Sequence, residues 1–410
     1  MSRHHSFLTG ASLALLLATR LAAQTPAALP AVPPVNDTAR LLAGLMPAAD
    51  PALLALTQVP SWQQHANYFD SAWANLEKNQ LIKVRTWTST RVPDAFNATR
   101  TAFYMFSGPD FLYADTFFPQ ASTYVLCGIE PVGPLPDVSK LTPQALGGEL
   151  RTLQESLNSV LHFSFFITKD MKSDLQNHSV RGTLPLLYIF LARSGKTIRD
   201  VSLVSLDEAG TLSAQADGTP RSASTPAPGV RIHFVADGSD TLRTLYYFST
   251  DISDTGLKHS GFLPFLKTLA PGNSCVKSAS YLMHESYFSN IRRFLLENTT
   301  TLIQDDSGIP VSFFTPDAWQ LRVFGSYPGP IPLFKNRLQP KLTEYYHATP
   351  HEPLDFGIGY RHHAGESTLM VATRQAPSNK IAAPVPEAPA PAPVPPRAVA
   401  VPEGNGAPPQ

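Results

Sequence analysis

Residues 101–128 read TAFYMFSGPDFLYADTFFPQASTYVLCG, and a strand-like run stands at each end of this stretch. Residues 101–107 and 123–128 carry aromatic and branched side chains and are bounded by glycine or proline, which is typical of β-strands. Residues 184–192 form a third apolar run, so we predict a buried strand there as well. The segment between the first two runs is rich in aromatic residues, glycine and proline.

Two further pairs of runs flank sequences that favour tight turns. Residues 230–236 and 244–250 stand on either side of the sequence DGSD, and residues 302–304 and 309–314 on either side of DDSG. Aspartate and glycine adopt the backbone angles that tight turns require. We therefore predict a β-hairpin in each of the two places.

Several segments have apolar residues at spacings of three and four, the pattern of a helix with one buried face. The pattern covers residues 62–79 and 288–296, and it also follows Thr142 and Pro143, which suit the N-cap and the first helical turn. Because the predicted hairpins outnumber βαβ crossovers, we predict an α+β fold. Its sheet is expected to be mostly antiparallel and flanked by helices, with a helical segment at the N-terminus.

The two ends of the chain differ in composition from its middle. Residues 1–23 combine Arg3, a short apolar stretch and small residues before Gln24, which predicts a cleavable secretory signal. Residues 24–36 and 376–410 are rich in proline and alanine, so we predict an extended lead-in and a disordered tail. The remaining residues, 37–375, are predicted to form one domain with a flexible insertion at 212–229.

The charge balance limits the classes of partner. The 410-residue chain has 32 basic and 32 acidic residues and a formal net charge of zero. Nucleic-acid binding depends on clustered lysine and arginine, so nucleic acid is excluded as a partner. The apolar part of the leader is shorter than the roughly 20 residues that span a bilayer. We therefore predict a periplasmic or secreted protein with no transmembrane anchor after signal cleavage. Its proline-rich tail is a candidate contact for a cell-envelope partner, although an inert tail is the favoured interpretation.

Cysteine and histidine provide few signals of a metal or redox site. Cys127 and Cys275 are the only cysteines; on export they either form a disulfide or remain two buried thiols, and the sequence favours neither. His362 and His363, with Glu366 nearby, are candidate metal ligands on a predicted tight turn. Solvated turn residues are the favoured interpretation, because the cluster lacks a fixed ligand spacing. We predict no metal site and no cofactor.

No complete catalytic motif is present. The pair at His284 begins the zinc motif HExxH, but its second histidine is absent. Lys277 and Ser278 are neighbours on a predicted strand and are expected to face solvent on opposite sides. The candidates for acid or base chemistry are therefore Glu130, His284 and Asp305, although the DDSG sequence at Asp305 also suits a plain turn.

Aromatic residues beside glycine and proline occur around Tyr113 and around Tyr327. Such residues line grooves for sugars or peptides, or they fill a core, which is the more common case. With Tyr113 and Tyr327 as candidate contacts, we hypothesise a non-enzymatic extracytoplasmic binding or scaffold protein. The alternative hypothesis is a hydrolase of a cell-wall or other polymeric substrate that acts through Glu130, His284 and Asp305.

Four phrases of the sequence resemble a set of exported bacterial proteins of unknown function: SGPDFLYADTFFP, QDDSGIPVSFF, FGSYPGPI and FGIGYRHHAGEST. The resemblance extends over most of residues 60–373. It implies an exported protein with a single family domain, and it implies no catalytic residue, cofactor or substrate.

Overall fold

The computed structural model describes residues 34–165, 179–215 and 227–375. The predicted signal peptide at 1–23, the tail at 376–410 and most of the predicted lead-in lie outside the described residues, as does the middle of the predicted insertion. The last three residues of the lead-in, 34–36, belong to the first helix.

A ten-stranded sheet runs through the described part of the chain, in the order β4-β3-β5-β6-β2-β1-β7-β8-β10-β9. The five central strands β6, β2, β1, β7 and β8 are parallel to one another, and antiparallel pairs extend the sheet on both sides. The strands are β1 Thr101–Tyr104, β2 Thr123–Gly128, β3 Lys196–Leu206, β4 Leu212–Ala214, β5 Pro228–Ala236, β6 Arg243–Ser249, β7 Gly272–Val276, β8 Thr299–Gln304, β9 Trp319–Gly325 and β10 Thr368–Arg374.

Helices cover both faces of the sheet. In the described residues they are α1 Pro34–Leu42, α2 Pro51–Leu56, α3 Pro60–Leu76, α4 Ile82–Arg91, α5 Pro93–Phe96, α6 Phe111–Phe117, α7 Pro143–Phe163, α8 Leu184–Arg193, α9 Phe262–Thr268, α10 Ser289–Asn298 and α11 Pro340–Ala348. Helices α1 to α8 contribute to the core on one face, and α9 to α11 to the core on the other. None of these helices is long and apolar enough to cross a membrane.

Successive side chains along the strands point alternately into two separate cores, one on each face of the sheet. On β1, Ala102 and Tyr104 face the core beneath α1 to α8, whereas Phe103 faces the core beneath α9 to α11. Successive side chains of a strand point to opposite faces, and both faces of these central strands are covered by helices. This explains why β1 and β2 read as continuous apolar runs in the sequence.

The prediction of a mostly antiparallel sheet is wrong, because the sheet is mixed. Strands β1 and β2 pair in parallel, with Thr101 opposite Thr123, and the aromatic segment between them contains α6. Six of the seven residues of α6 are buried, so it lacks the polar face by which a helix is recognised in a sequence. A βαβ unit thus stands where the sequence predicted two strands joined by a loop.

Two further local predictions are wrong. Residues 184–192 form helix α8 rather than a strand; nine of its ten residues are buried, so its periodicity is hidden. No hairpin follows Gln304, because β8 pairs with β7 and β10. The Gln304 side chain instead bonds both the N–H (2.8 Å) and the carbonyl (2.6 Å) of Ile309, which closes this segment as a loop.

Other local predictions are confirmed. Strands β5 and β6 pair as an antiparallel hairpin across the DGSD sequence. Helix α7 begins at Pro143, and the Thr142 hydroxyl accepts a hydrogen bond from the N–H of Ala145 at 3.2 Å.

Candidate functional site

The five parallel strands end at the same edge of the sheet. Of the other parallel strands, β2 and β6 lie on one side of β1, whereas β7 and β8, which come later in the chain, lie on its other side. The strand order therefore reverses between β1 and β7. In open α/β sheets a reversal of this kind opens a crevice at the carboxyl ends of the strands, where ligands bind.

A cleft with two lobes occupies this position, and we call it the edge cleft. The Ile129 lobe, of about 270 Å³, has mostly apolar walls that include Ile129, Ile252, Leu282 and Phe288. The Lys277 lobe, of about 400 Å³, has a charged floor beneath aromatic side chains. Volumes of several hundred Å³ are typical of small-molecule sites. Both lobes are lined by Phe106, Gly108, Glu130, Ser278 and Ser280.

A buried ion pair forms the floor of the Lys277 lobe. The Lys277 ammonium lies 3.0 Å from an Asp110 carboxylate oxygen, and the two side chains are only 2% and 1% exposed. The same Asp110 oxygen accepts the hydroxyl proton of Tyr104 at 2.8 Å, and the other oxygen accepts the N–H of Tyr113. Lys277 also donates to the carbonyl of Ser164 and lies 4.4 Å from the centre of the Tyr113 ring. Lys277 is thus buried, contrary to the expectation of a solvent-facing residue.

Side chains from two other loops hold residues 278–280 in place after β7. Three successive backbone N–H groups donate to the Asp305 carboxylate (2.8 Å), the Ser307 hydroxyl (2.8 Å) and the Tyr360 hydroxyl (3.0 Å). The second oxygen of Asp305 accepts the N–H and the hydroxyl of Ser307. Asp305 therefore supports the wall of the edge cleft, and both of its carboxylate oxygens accept hydrogen bonds from the protein.

Backbone strain is concentrated around the edge cleft. Six non-glycine residues of the described chain have positive φ, and four of them, Phe106, Ser278, Ser280 and Tyr281, line the cleft or adjoin its wall. Such angles are costly for bulky side chains and persist only where the surroundings enforce them. Strain of this kind clusters at ligand and active sites, which makes it independent support for a site here.

Glu130 lies where the two lobes meet. It follows β2, is 2% exposed and lies against Gly128, where a Cβ atom would meet the carboxylate at 2.2 Å. The Tyr247 hydroxyl is within 3.3 Å of one of its carboxylate oxygens, and no other described residue bonds this carboxylate. Glu130 therefore retains acceptor capacity toward the cleft.

A pair of adjacent carboxyl groups lies behind the cleft wall. Burial, reinforced by the charge of Asp305, raises the pKa of Asp306 to about 7, and burial likewise raises the pKa of Asp305. The Tyr281 hydroxyl donates to Asp306 at 2.5 Å, and burial raises the pKa of this phenol. The surroundings of Asp306 thus favour its protonated form.

The three candidates for acid or base chemistry have different surroundings. Glu130 lines both lobes, Asp305 supports the wall from behind, and His284 lines neither lobe. The His284 ring packs 5.1 Å from that of Tyr281, and burial lowers the pKa of this histidine to about 4. The edge cleft therefore includes one of the three candidates.

Neither candidate contact tyrosine is available to a ligand in this cleft. Tyr113 is fully buried beneath Lys277 as part of the core. Tyr327 is half-buried, its hydroxyl accepts the N–H of Gln339 at 3.0 Å, and burial raises its pKa to about 12. The aromatic residues that do line the Lys277 lobe are Phe106, Phe165, Phe334 and Tyr360, together with Tyr104.

The structure also shows where the candidate histidines and the two cysteines lie. His362 and His363 lie on the predicted turn with their ring centres 4.2 Å apart, and the described residues contain no group of three or more potential ligands that could hold a metal. Cys127 on β2 and Cys275 on β7 are free thiols. Strand β1 lies between their strands, and the two thiols face opposite cores, so this arrangement cannot form a disulfide.

Sequence reasoning missed Asp110 and Tyr360, and it placed Lys277 and Ser278 on the surface. A usable signal was present for Lys277 and Ser278, because they directly follow the buried strand β7. The first polar residues after a buried parallel strand lie at the edge where ligands bind. Tyr360 has no comparable signal, since it reaches the cleft from a loop distant in sequence.

The comparisons with known proteins add nothing to this geometry. No protein-family model, no curated protein and no solved structure matches the chain.

Proposed function

We propose that this protein binds a small molecule in the edge cleft, as a non-enzymatic extracytoplasmic binding protein. The observation that carries the proposal is the convergence of a strand-order reversal, a two-lobed cleft and strained backbone at one place. A core that served only to fold would gain stability by relaxing these features. Their coincidence supports a binding role.

The charges of the cleft favour an uncharged or cationic ligand. Asp110, Glu130 and Asp251 line it, against the single base Lys277, which is already paired with Asp110. Like charge disfavours an anion in a site of low dielectric constant. The free acceptor capacity of Glu130 suits a ligand with hydroxyl or amino groups, and the apolar walls suit a flat or hydrophobic portion.

A hydrolase of a polymeric substrate receives less support. Two acid/base groups must flank the scissile bond. Of the three candidates only Glu130 lines the cleft, while Asp305 holds the cleft wall from behind with both oxygens hydrogen-bonded and His284 lies outside both lobes. The two lobes, of about 270 and 400 Å³, are also of the size typical of small-molecule sites.

A pair of tryptophan substitutions tests the binding proposal. Ile129 is 52% exposed at the cleft and Leu338 is 54% exposed outside both lobes, so Ile129→Trp and Leu338→Trp add similar bulk at matched sites. We expect the melting temperature of the protein to rise with a neutral sugar, a ribonucleoside or spermidine. Of the two variants, only Ile129→Trp is expected to abolish that rise. Equal responses of the two variants, or stabilisation by glucose 6-phosphate alone, would contradict the proposal.

We also propose that the chain is exported with residues 1–23 as its signal, on the sequence pattern given above. Mass spectrometry of the protein expressed in a Gram-negative bacterium is expected to find Gln24 at the N-terminus in the periplasmic or secreted fraction. Recovery of the chain with its leader intact in the cytoplasm would contradict export, and it would leave the binding proposal unaffected.

A further inference from the structure

The position of Glu130 limits the ligand further. It lies two residues after the β1-α6-β2 unit, and about twenty positions after Gly108, which lies within the loop between β1 and α6. In nucleotide-binding α/β folds an acidic residue at this place accepts hydrogen bonds from the ribose hydroxyls. Glu130 has the required burial and free acceptor capacity, and it stands at the junction of two lobes.

The same loop is unsuited to phosphate. The Gly108 N–H donates to the carbonyl of Cys127, and Pro109 has no N–H. The Phe111 N–H donates to the carbonyl of Pro109, and the Tyr113 N–H to the Asp110 carboxylate. Phosphate sites at this position depend on free backbone donors at the start of the helix. Here the N–H groups of Gly108, Phe111 and Tyr113 are occupied, and the Asp110 carboxylate stands at the start of the helix.

The two lobes match the two ends of a nucleoside. The Ile129 lobe offers apolar side chains to a flat base, and Ile129 itself is half-exposed and able to cover one. The Lys277 lobe has aromatic walls and a paired charge on its floor, which suit an uncharged or zwitterionic substituent. A monosaccharide would occupy one lobe only, and leave the other to water.

We infer that the edge cleft binds a nucleoside without a 5′-phosphate, with its ribose hydroxyls on Glu130, its base in the Ile129 lobe and its 5′ end toward the Lys277 lobe. This inference rests on the proposed binding function. It adds the class of ligand and the orientation in which that ligand lies.

Calorimetric titration of the full chain tests the inference with the four common ribonucleosides, their 2′-deoxy forms, their 5′-monophosphates and S-adenosylhomocysteine, which carries a zwitterionic 5′ substituent. We expect at least one ribonucleoside or S-adenosylhomocysteine to bind. The 2′-deoxy form and the 5′-monophosphate are expected to bind about tenfold more weakly or worse, because a hydrogen bond to a charged group is lost or an anion is repelled.

Two isosteric variants assign the effect to Glu130. Glu130→Gln removes the charge at the junction and is expected to weaken the ribonucleoside about tenfold, and to make its affinity insensitive to the 2′-hydroxyl. Glu155→Gln makes the same change at an exposed position of α7 outside both lobes, and it is expected to leave binding unchanged. The comparison of ribo with deoxy ligands uses the unaltered protein, so it stands even if Glu130→Gln folds poorly.

The possible outcomes distinguish a failure of the nucleoside inference from a failure of the proposed binding function. Equal affinity for ribo and deoxy forms, tighter binding of the monophosphate, or no binding of any nucleoside overturns the inference. If methyl glucoside or spermidine then binds in a manner that depends on Glu130, the binding function stands with a different ligand. If Ile129→Trp also leaves the binding of every tested ligand unchanged, the nucleoside inference and the proposed binding function are both wrong.

Discussion

Removing the charge of Lys277 tests whether Lys277 and Asp110, at the floor of the edge cleft, stabilise each other as a buried ion pair. In Lys277→Met the Asp110 carboxylate, 1% exposed, loses its counterion at 3.0 Å. Breaking a buried ion pair from one side costs about 3–5 kcal/mol, because the remaining charge is left without compensation. That cost is below the stability of a typical domain, about 5–15 kcal/mol, so the variant is expected to fold.

The double variant Lys277→Met/Asp110→Asn isolates the coupling. The amide oxygen of the new side chain can still accept from the N–H of Tyr113, and its NH2 group then faces the Tyr104 hydroxyl, which can accept in turn. No buried charge remains. We therefore expect the double variant to be less destabilised than the sum of the two single variants by about 2–3 kcal/mol. Urea unfolding followed by circular dichroism gives the four free energies of unfolding from midpoints and a shared slope.

A second cycle provides the control. Lys140 and Asp137 form an ion pair at 2.6 Å with side chains that are 82% and 45% exposed. Exposed pairs couple by less than about 1 kcal/mol, and salt screens them further. A coupling between Lys277 and Asp110 that is no larger than the one between Lys140 and Asp137 would refute the assignment of a desolvated pair at the cleft floor.

Three further predictions follow from single groups. Burial raises the pKa of Asp306 to about 7 in the folded protein, so the folded state binds more protons than the unfolded state between pH 4 and 7. The free energy of unfolding is therefore expected to fall by about 1.4 kcal/mol per pH unit over this range, and Asp306→Asn is expected to reduce that slope in urea unfolding at a series of pH values. An unchanged slope would contradict the raised pKa of Asp306. Thr142→Ala removes the N-cap of α7 and is expected to cost about 1 kcal/mol in the same assay, with no effect on ligand binding. Cys127 and Cys275 are buried, and burial raises the pKa of Cys127 to about 12, so a thiol reagent is expected to find no reactive thiol in the native protein and two in urea without reductant. Absence of both thiols in urea would indicate a disulfide.

Strands were easier to predict than their arrangement. The runs at β1, β2, β5 and β6 are visible in the sequence because branched and aromatic residues stop abruptly at glycine, proline or aspartate. Whether neighbouring strands are parallel depends on what joins them. Helix α6 is buried on nearly all sides and reads as part of an aromatic run, so the crossover that makes β1 and β2 parallel was invisible.

The candidate site was predictable only in part, for the same reason. Glu130 and Asp305 were among the predicted candidates for acid or base chemistry, and both lie at the carboxyl edge of the sheet. The sequence does not reveal strand order, so it could not show that Asp110 and Lys277 meet across the reversal between β1 and β7. Nor could it separate an acid that faces the cleft from one that braces the cleft wall.

The energetic cost of this edge is itself an argument for function. Positive φ at a residue such as Phe106 or Tyr281 costs about 1–3 kcal/mol, and a buried ion pair is often no more stabilising than apolar side chains of similar volume. The strain of four such residues offsets a substantial part of a typical folding free energy, and the pair of Lys277 with Asp110 restores little of it. The hairpin between β5 and β6 turns on Gly238, which accepts its φ of 73° without such a cost. Because the chain makes unstrained turns elsewhere, the backbone strain at the carboxyl edge is best explained by a ligand that binds in the edge cleft.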